Sequence, residues 1–378
     1  MNFIVLFGTF ATIFYILLLI IKRRKTLPDL FLGLIFLFYG LNIGLTWVEL
    51  YNAEHGYPCP RFLNISWLFL LLHGPAMWFY IKSYTMRPYR FRWIWLLHLV
   101  PFTAFTFAQY LEYFSLSQAD RIRIFSEESF KENTLYKISV LAIAVSTITY
   151  NLWGLKLIKE HRFQLRNHFS HVADMDLRWL EVLIIANLVI YGINVSLFNL
   201  DLIFGFASYH LLMELAYTFA TIYTLVLGYY GIRQGNVFVS KDITLVIPGK
   251  KAQERIRSRS PGEEDETSIN RLLTDMESKK PFLDPEITVA KLAELQRVTP
   301  ATLSRVLNEH LDQNFFDFIN RYRVEEFKNQ ALSEDASRLS IMGIAYECGF
   351  NSKAAFYRAF KKHEKCSPSE YLSRLNKK

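Results

Sequence analysis

Seven long apolar stretches without lysine, arginine, aspartate or glutamate are the feature that most limits what this chain can fold into. A helix needs roughly 20 such residues to cross the hydrocarbon core of a bilayer. All seven lie before residue 233, at Phe3–Ile21, Leu30–Val48, Phe62–Ile81, Trp93–Leu111, Ile138–Leu155, Val182–Leu200 and Leu215–Ile232. The pattern predicts a bundle of seven transmembrane helices.

The loops between these stretches alternate in charge. The first, third and fifth loops are rich in lysine and arginine, the second holds only Arg61, the fourth mixes both signs, and the sixth holds no basic residue of either type. Cytoplasmic loops carry the excess of basic residues, so we expect the N-terminus outside and the C-terminus in the cytoplasm. The first stretch has its positive charges after the apolar run, which predicts a retained span rather than a cleaved signal peptide.

Polar side chains inside the predicted spans are candidates for detecting a signal, because such groups are costly in a membrane and usually serve a function. The candidates are His73, His98, Asn187, Asn194 and Glu214. Hydrogen bonding within the bundle is the alternative role for the two histidines. The sequence does not identify the signal ligand.

Cysteine and histidine spacing does not predict a metal site. The three cysteines match no zinc pattern; they are Cys59, Cys348 and Cys366. The fifth loop carries His161, His168 and His171, which we interpret as part of a solvated cytoplasmic loop rather than as metal ligands. The sequence also lacks a metalloprotease helix motif and a nucleophile elbow. We therefore expect no catalytic residue, no metal and no cofactor.

The composition of the chain changes near residue 232. Residues 1–232 are apolar and rich in aromatic side chains, whereas residues 233–268 contain glycines, prolines, a basic run and an acidic run. Residues 269–378 are polar and recover a helical period. We predict a transmembrane sensor domain, a cytoplasmic linker and a C-terminal helical domain over these three ranges.

Two pairs of short helices are predicted in the C-terminal domain. In the first pair, Thr299 is a suitable N-cap and Pro300 a suitable first residue of the second helix. In the second pair, Gly349 makes the turn and Ser352 caps the following helix. Two short helices joined by a tight turn form a helix-turn-helix unit. A longer amphipathic helix between the pairs is predicted to act as core and spacer.

The second helix of each pair is the predicted recognition helix. The side chains expected to face DNA are Ala301, Thr302, Ser304, Arg305, Lys353, Ala354, Tyr357 and Arg358. Arg305 and Arg358 suit bidentate hydrogen bonds to guanine. Residues 349–378 contain eight lysines and arginines against two glutamates, a surplus that suits phosphate contacts. We expect double-stranded DNA to be bound in two successive major-groove turns, about 34 Å apart.

Residues 280–375 resemble the C-terminal domain of the AraC/XylS family of bacterial transcription regulators. The resemblance lies in "ITVAKLAELQRVTPATLSRVLNE", "FFDFINRYRVEEFKNQAL" and "IMGIAYECGFNSKAAFYRAFKKHEKCSPSEYL". It implies DNA binding by Thr299–Leu307 and Ser352–Phe360, and a cap on the last helix from Ser367 and Pro368. The family has a glycine two residues before this Ser-Pro pair, whereas this chain has Lys365. A turn with positive φ is less favourable there without glycine.

The apolar half resembles the membrane-embedded members of the same family, in which a seven-helix sensor replaces the soluble ligand domain. The resemblance lies in the seven spans, in "HFS" and "DLRWL" of the fifth loop, and in "YYGIRQ" after the last span. It implies an all-α, one-component transcription regulator in the bacterial inner membrane, with DNA, the lipid bilayer and a signal ligand as partners. Whether the chain forms a homodimer is left open.

Two other classes of protein remain as alternatives. A membrane receptor or transporter with a protein-binding tail predicts little salt dependence and no sequence preference when the tail meets DNA. A membrane enzyme would require a catalytic constellation, and the sequence offers no coherent one.

Overall fold

The computed structural model is almost entirely helical. It describes residues 3–86, 89–172, 175–237, 263–332 and 339–375. Within these ranges there is no β-strand, and an isolated antiparallel bridge joins Phe169 to Thr288. The predicted all-α class is confirmed.

The chain divides into two compact units, each made of two segments. The first unit comprises Met1–Lys159 and Leu177–Leu245, and the second comprises Glu160–Asp176 and Val246–Lys378. The residues between the fifth and sixth predicted spans, called here the fifth-loop segment (Glu160–Asp176), therefore group with the C-terminal part of the chain. Most of the predicted linker, residues 238–262, lies outside the described residues.

The described part of the chain holds seven helical segments that are long and apolar enough to cross a membrane, at the seven positions predicted. Its first eight α-helices are α1 (Phe3–Ile21), α2 (Leu27–Glu54), α3 (Leu70–Thr85), α4 (Val100–Gln109), α5 (Gln118–Ser126), α6 (Thr134–His168), α7 (Arg178–Phe204) and α8 (Tyr209–Val237). Shorter 3₁₀ turns precede α3 and α4, and a π-turn follows α4. Helix α6 runs 13 residues beyond the predicted end at Leu155, because its charged continuation is rich in good helix formers.

The first unit buries polar side chains and exposes apolar ones. Phe3, Leu141 and Ile203 are more than 60% exposed, whereas Glu49 is 1% exposed. The Glu49 carboxylate accepts hydrogen bonds from the backbone of Ile65 and from the backbone and hydroxyl of Ser66, at 2.8–3.0 Å. An apolar outer surface around an interior that holds polar side chains is the arrangement that a lipid environment favours.

The second unit adds seven described helices to the fifth-loop segment. They are α9 (Glu263–Ser278), α10 (Val289–Gln296), α11 (Pro300–Arg305), α12 (Phe315–Ala331), α13 (Ile341–Glu347), α14 (Lys353–Glu364) and α15 (Pro368–Leu375). Helix α12 serves two hydrophobic cores: Phe315 and Phe318 pack with α10 and α11, and Val324 and Phe327 pack with α13 and α14. The predicted core-and-spacer helix is confirmed.

A buried arginine on α12 lies where these two cores meet. Arg323 is 2% exposed, and its guanidinium donates to the carbonyls of Phe282 and Asp284, both at 2.8 Å. The guanidinium carbon also lies 5.8 Å from the centre of the Phe350 ring. Burial lowers the pKa of Arg323 to about 10, so the group is charged at neutral pH. A buried charge is tolerated only when its donors are hydrogen-bonded, as they are here.

The turn between α13 and α14 packs against Phe282 and Arg323, a site called here the Arg323 corner. Gly349 has φ of +87°, and a Cβ built there would lie 2.5 Å from the carbonyl oxygen of Phe282 and 3.0 Å from Nε of Arg323. A side chain fits neither the backbone conformation nor the space. The glycine predicted to make this turn is therefore required by packing as well as by φ.

Lys365 ends α14 in the left-handed conformation, with φ of +59°, so the turn keeps the geometry for which glycine is favoured. We expect Lys365→Gly to raise the free energy of unfolding of the second unit by about 1 kcal/mol, because it removes the left-handed penalty of a side chain. Thermal unfolding of the full chain in detergent, followed by circular dichroism, measures the change.

Lys361→Gly is the matched control, since Lys361 is an exposed lysine inside the same helix. It should destabilise the unit by about 1 kcal/mol, the ordinary cost of glycine in a helix interior. A lower unfolding temperature for both variants would contradict the interpretation of the Lys365 turn.

Candidate functional site

The first helix-turn-helix unit is built from α10 and α11. The Thr288 hydroxyl accepts from the backbone of Lys291 at 3.2 Å and caps α10, and the Thr299 hydroxyl accepts from Thr302 at 3.1 Å and caps α11. Between the helices Arg297 takes the left-handed conformation, with φ of +56°. The predicted roles of Thr299 and Pro300 at the start of the second helix are confirmed.

The second helix-turn-helix unit is built from α13 and α14. The Ser340 hydroxyl accepts from Gly343 at 3.0 Å and the Ser352 hydroxyl accepts from Ala355 at 3.3 Å, so each helix has a serine cap. The last helix, α15, follows a capping box in which Ser367 and Glu370 bond to each other's backbone at 2.8 and 3.3 Å. The second pair thus has the local geometry predicted from the sequence.

All eight residues predicted to face DNA lie on the second helix of a pair and outside the buried cores. They are Ala301, Thr302, Ser304 and Arg305 on α11, and Lys353, Ala354, Tyr357 and Arg358 on α14. The four on α11 are half-buried, whereas on α14 only Tyr357 is half-buried and the others are exposed. Arg358 Nε donates to the Ala354 carbonyl at 3.1 Å, and Lys353 Nζ lies 5.5 Å from the centre of the Tyr357 ring. Their role in reading bases stays a prediction.

The C-terminal turns of α14 concentrate positive charge. Lys361 and Lys362 are exposed, and Lys362 Nζ also pairs with Asp317 of α12 at 2.6 Å. Burial, and then the neighbouring Lys362, lower the pKa of His363, so this imidazole is neutral at pH 7. The charge of this end of the helix therefore comes from lysines, whose ammonium groups suit phosphate contacts.

The fifth-loop segment packs into the second unit beside the first helix-turn-helix pair. The Ser170 hydroxyl, in a side chain that is 3% exposed, donates to the Ile287 carbonyl at 2.8 Å. It also accepts from the Arg323 guanidinium at 3.4 Å, while Phe169 bridges to Thr288, the N-cap of α10. Sequence reasoning missed this site.

The interpretation of the fifth loop as solvated is wrong. Leu165 is fully buried, Val172 is 7% exposed, and the ring of His161 is buried with Nε2 3.3 Å from the Met175 carbonyl. Basic residues dominate the composition of this loop, so its average composition gave no indication of the buried apolar positions. Leu165, Phe169 and Val172 recur at intervals of four and three, the period of a helix face, and that was the signal available.

Three of the five predicted sensor residues line a common cavity in the first unit. The cavity has a volume of about 130 Å³, and His73, Asn187 and Asn194 are among its lining residues. His98 lies elsewhere, with Nδ1 2.5 Å from the Tyr150 hydroxyl oxygen. Their roles in sensing stay predictions.

Glu214 lies in a different group of polar side chains. Ligand atoms of Glu54, His210 and Glu214 all lie within 4.8 Å of one another, and His210 Nε2 lies 3.9 Å from a Glu54 oxygen. Among the described residues, these three side chains are close enough together to hold a metal ion. Partly exposed acidic groups of this kind are common without one, so the group does not by itself define a site.

Residues 292–374 match a family described as a helix-turn-helix domain. The matched residues lie within the second unit and run from the fourth residue of α10 through both helix-turn-helix pairs into α15. The chain is 30% identical over 83 residues to an uncharacterized HTH-type transcriptional regulator of Haemophilus influenzae, a match that covers 22% of this chain and 27% of the relative. It is 30% identical over 87 residues to the HTH-type transcriptional regulator CdhR of Pseudomonas aeruginosa, with 23% and 25% covered. No solved structure matches the chain.

The chain thus spans about a quarter of the length of the curated relatives it matches. The predicted helix-turn-helix domain is confirmed by the family match and by the geometry of α10 to α15. The C-terminal residues 292–374 of this chain therefore form a helix-turn-helix domain similar to those of HTH-type transcriptional regulators.

We expect Arg305→Ala and Arg358→Ala each to reduce discrimination among DNA sequences by about 1–3 kcal/mol, because each removes a guanidinium that is predicted to bond bidentately to guanine. Fluorescence anisotropy titrations with a selected motif and with its single-base variants measure the loss of sequence discrimination. Arg271→Ala is the matched control, since Arg271 is an exposed arginine on α9 and belongs to neither recognition helix. An unchanged base preference in the two variants would refute their assignment.

Proposed function

We propose that the chain is a one-component transcription regulator of the AraC/XylS type, embedded in the bacterial inner membrane. The seven-helix part acts as the sensor, and the recognition helices α11 and α14 bind double-stranded DNA in the cytoplasm. The confirmed helix-turn-helix domain, the named relatives and the seven apolar helices support this proposal. The proposed domains remain residues 1–232, 233–268 and 269–378, with the fifth-loop segment added to the DNA-binding unit.

The observation that carries the proposal is that one helix belongs to both units. Helix α6 is continuous from Thr134 to His168 and passes from the first unit into the second at residue 160. Its 35 residues make it about 50 Å long at 1.5 Å per residue, well beyond the roughly 30 Å of hydrocarbon. A helix of this kind gives a membrane signal a continuous path to the DNA-binding unit.

The packing of the fifth-loop segment agrees with the predicted membrane topology. Two spans separate this loop from the chain that follows the seventh span, so both lie on the same side of a membrane. The segment contacts Ile287 and Arg323 of the C-terminal part, which requires a common side. The basic residues of the loop then favour the cytoplasm, where DNA is found.

The path from α6 ends at the start of the first helix-turn-helix pair. The Ser170 hydroxyl donates to the Ile287 carbonyl, and Ile287 directly precedes Thr288, the N-cap of α10. A rotation or shift of α6 would therefore move the residues that fix α10, and α11 packs on α10 through the same core. We propose that the signal changes the position of the first recognition helix relative to the second.

The proposal is tested by selecting DNA from a random pool with the full chain in lipid nanodiscs. We expect an enriched motif with two half-sites about one helical turn apart, and binding that weakens steeply as salt rises. No enriched motif, with weak and uniform binding, would refute the regulator. That result would favour a membrane receptor or transporter with a protein-binding tail.

We expect Ser170→Leu to weaken binding to the selected motif about tenfold, equivalent to about 1.4 kcal/mol. The substitution removes the hydrogen bond to Ile287 and inserts a larger side chain into a site where serine is 3% exposed. The first recognition helix should lose its fixed position while the bases read by α14 stay the same. Anisotropy titrations of the full chain in nanodiscs measure the affinity.

Phe163→Ala is the control within the same segment, because the Phe163 side chain is 55% exposed. It should leave DNA affinity unchanged. Equal affinities for wild type, Ser170→Leu and Phe163→Ala would show that the fifth-loop segment does not act on the DNA-binding unit.

A further inference from the structure

Five of the seven apolar helical segments enclose the cavity of the first unit. Its walls come from α2, the segment ending in α3, α6, α7 and α8, so a molecule inside would touch each of them. Helix α6 contributes Tyr136 and Ser139 to the wall, and its other end lies in the second unit. A ligand here would act directly on the helix that joins the two units.

The wall chemistry excludes a charged ligand. None of the described lining residues is aspartate, glutamate, lysine or arginine, and most are aromatic or aliphatic. An ion placed there would lose its hydration without gaining a partner of opposite charge. The flat tyrosine and histidine rings instead offer faces for stacking; the Tyr39 and His73 rings already stack with centres 3.8 Å apart.

Hydrogen bonds within the wall fix several of its polar groups. Asn187 accepts from Asn151 and donates to the Tyr39 hydroxyl, both at 3.1 Å. Asn42 donates to the Tyr217 hydroxyl at 2.9 Å, and Nδ1 of His73 lies 2.6 Å from the Tyr191 hydroxyl oxygen. These groups hold the rings in place, which pre-organises the cavity for a ligand.

Three polar atoms of the wall are not used in this way. Tyr223 is 4% exposed, and its hydroxyl is buried without a hydrogen-bond partner in the described part of the chain. Nε2 of His73 and Nε1 of Trp67 are likewise buried without a hydrogen-bond partner in that part of the chain, and all three side chains line the cavity. Buried polar groups are almost always satisfied, so an unpaired hydroxyl at a cavity wall calls for a partner.

We propose that the cavity binds a small, neutral aromatic molecule with one hydrogen-bonding group, of the phenol or indole type, and that this ligand is the signal of the proposed regulator. A volume of about 130 Å³ is close to that of an engineered protein cavity, about 150 Å³, that binds benzene. The ring stacks on the aromatic wall, and the polar group of the ligand bonds to the Tyr223 hydroxyl. The signalling part of this inference rests on the proposed function.

The test uses the full chain in nanodiscs, with phenol and indole as probes and benzoate as the charged control. We expect saturable binding of at least one probe by isothermal titration calorimetry, and none of benzoate. Tyr223→Phe should weaken binding about tenfold, whereas Tyr230→Phe, the same change at an exposed site on α8 outside the cavity, should not. Ala216→Phe, which fills part of the cavity, should abolish it.

Binding that is absent, or equal in wild type and all three variants, would overturn the site, since partition into lipid alone gives equal values. Because Ala216→Phe can disturb folding, Tyr223→Phe decides the matter if the larger variant is unstable. Affinity for the selected DNA is measured in the same preparations with and without the probe. A bound probe that leaves DNA affinity unchanged overturns its role as signal, and a failure to select any DNA motif overturns only the proposed function.

Discussion

The buried guanidinium of Arg323 is the interaction on which the arrangement of the second unit depends. It bonds to two carbonyls of the turn before α10, lies against the Phe350 ring of the second helix-turn-helix unit and touches Ser170 of the fifth-loop segment. Hydrogen bonds to a charged group contribute about 1.5–3 kcal/mol each. Loss of one partner is costly because the buried charge then lacks a group that compensates for its desolvation. The packing of α12, the turn before α10, the second helix-turn-helix turn and the fifth-loop segment is therefore cooperative, because each contributes a contact to the same guanidinium.

This corner also explains how a change outside the recognition helices can reach both of them. Gly349 lets the turn of the second pair approach the Phe282 carbonyl to which Arg323 donates. Thr288, the N-cap of the first pair, follows four residues after Asp284, whose carbonyl also accepts from Arg323. In the proposed regulator, a displacement of α6 acts on Ser170 at this corner. The first recognition helix would then change position relative to the second, since α12 carries a separate core for each.

Most of the fold followed from local patterns in the sequence. The seven spans, the caps at Thr299 and Ser352 and the turn at Gly349 depend on short-range rules of hydropathy, capping and φ, and these rules act within a few residues. Arg323 and Ser170 could not be found this way, because an arginine on an amphipathic helix and a serine in a basic loop are ordinarily exposed. Only the three-dimensional meeting of distant segments buries them. The cavity was not predicted, although three of the polar span residues line it. The rings of Tyr39 and Tyr223 that shape it have no distinctive local signal.

The second unit is discontinuous in sequence, and this affects how such a protein can be recombined. A chimera that joined the chain after residue 263 to a different sensor would leave Glu160–Asp176 behind and expose the corner of Arg323 that the segment covers. The two units are thus not separable by a single cut, unlike domains that are linked end to end. In the proposed regulator, the sensor sequence carries a segment that completes the DNA-binding unit, so we expect the two parts to be inherited as a matched pair with compensating changes in each.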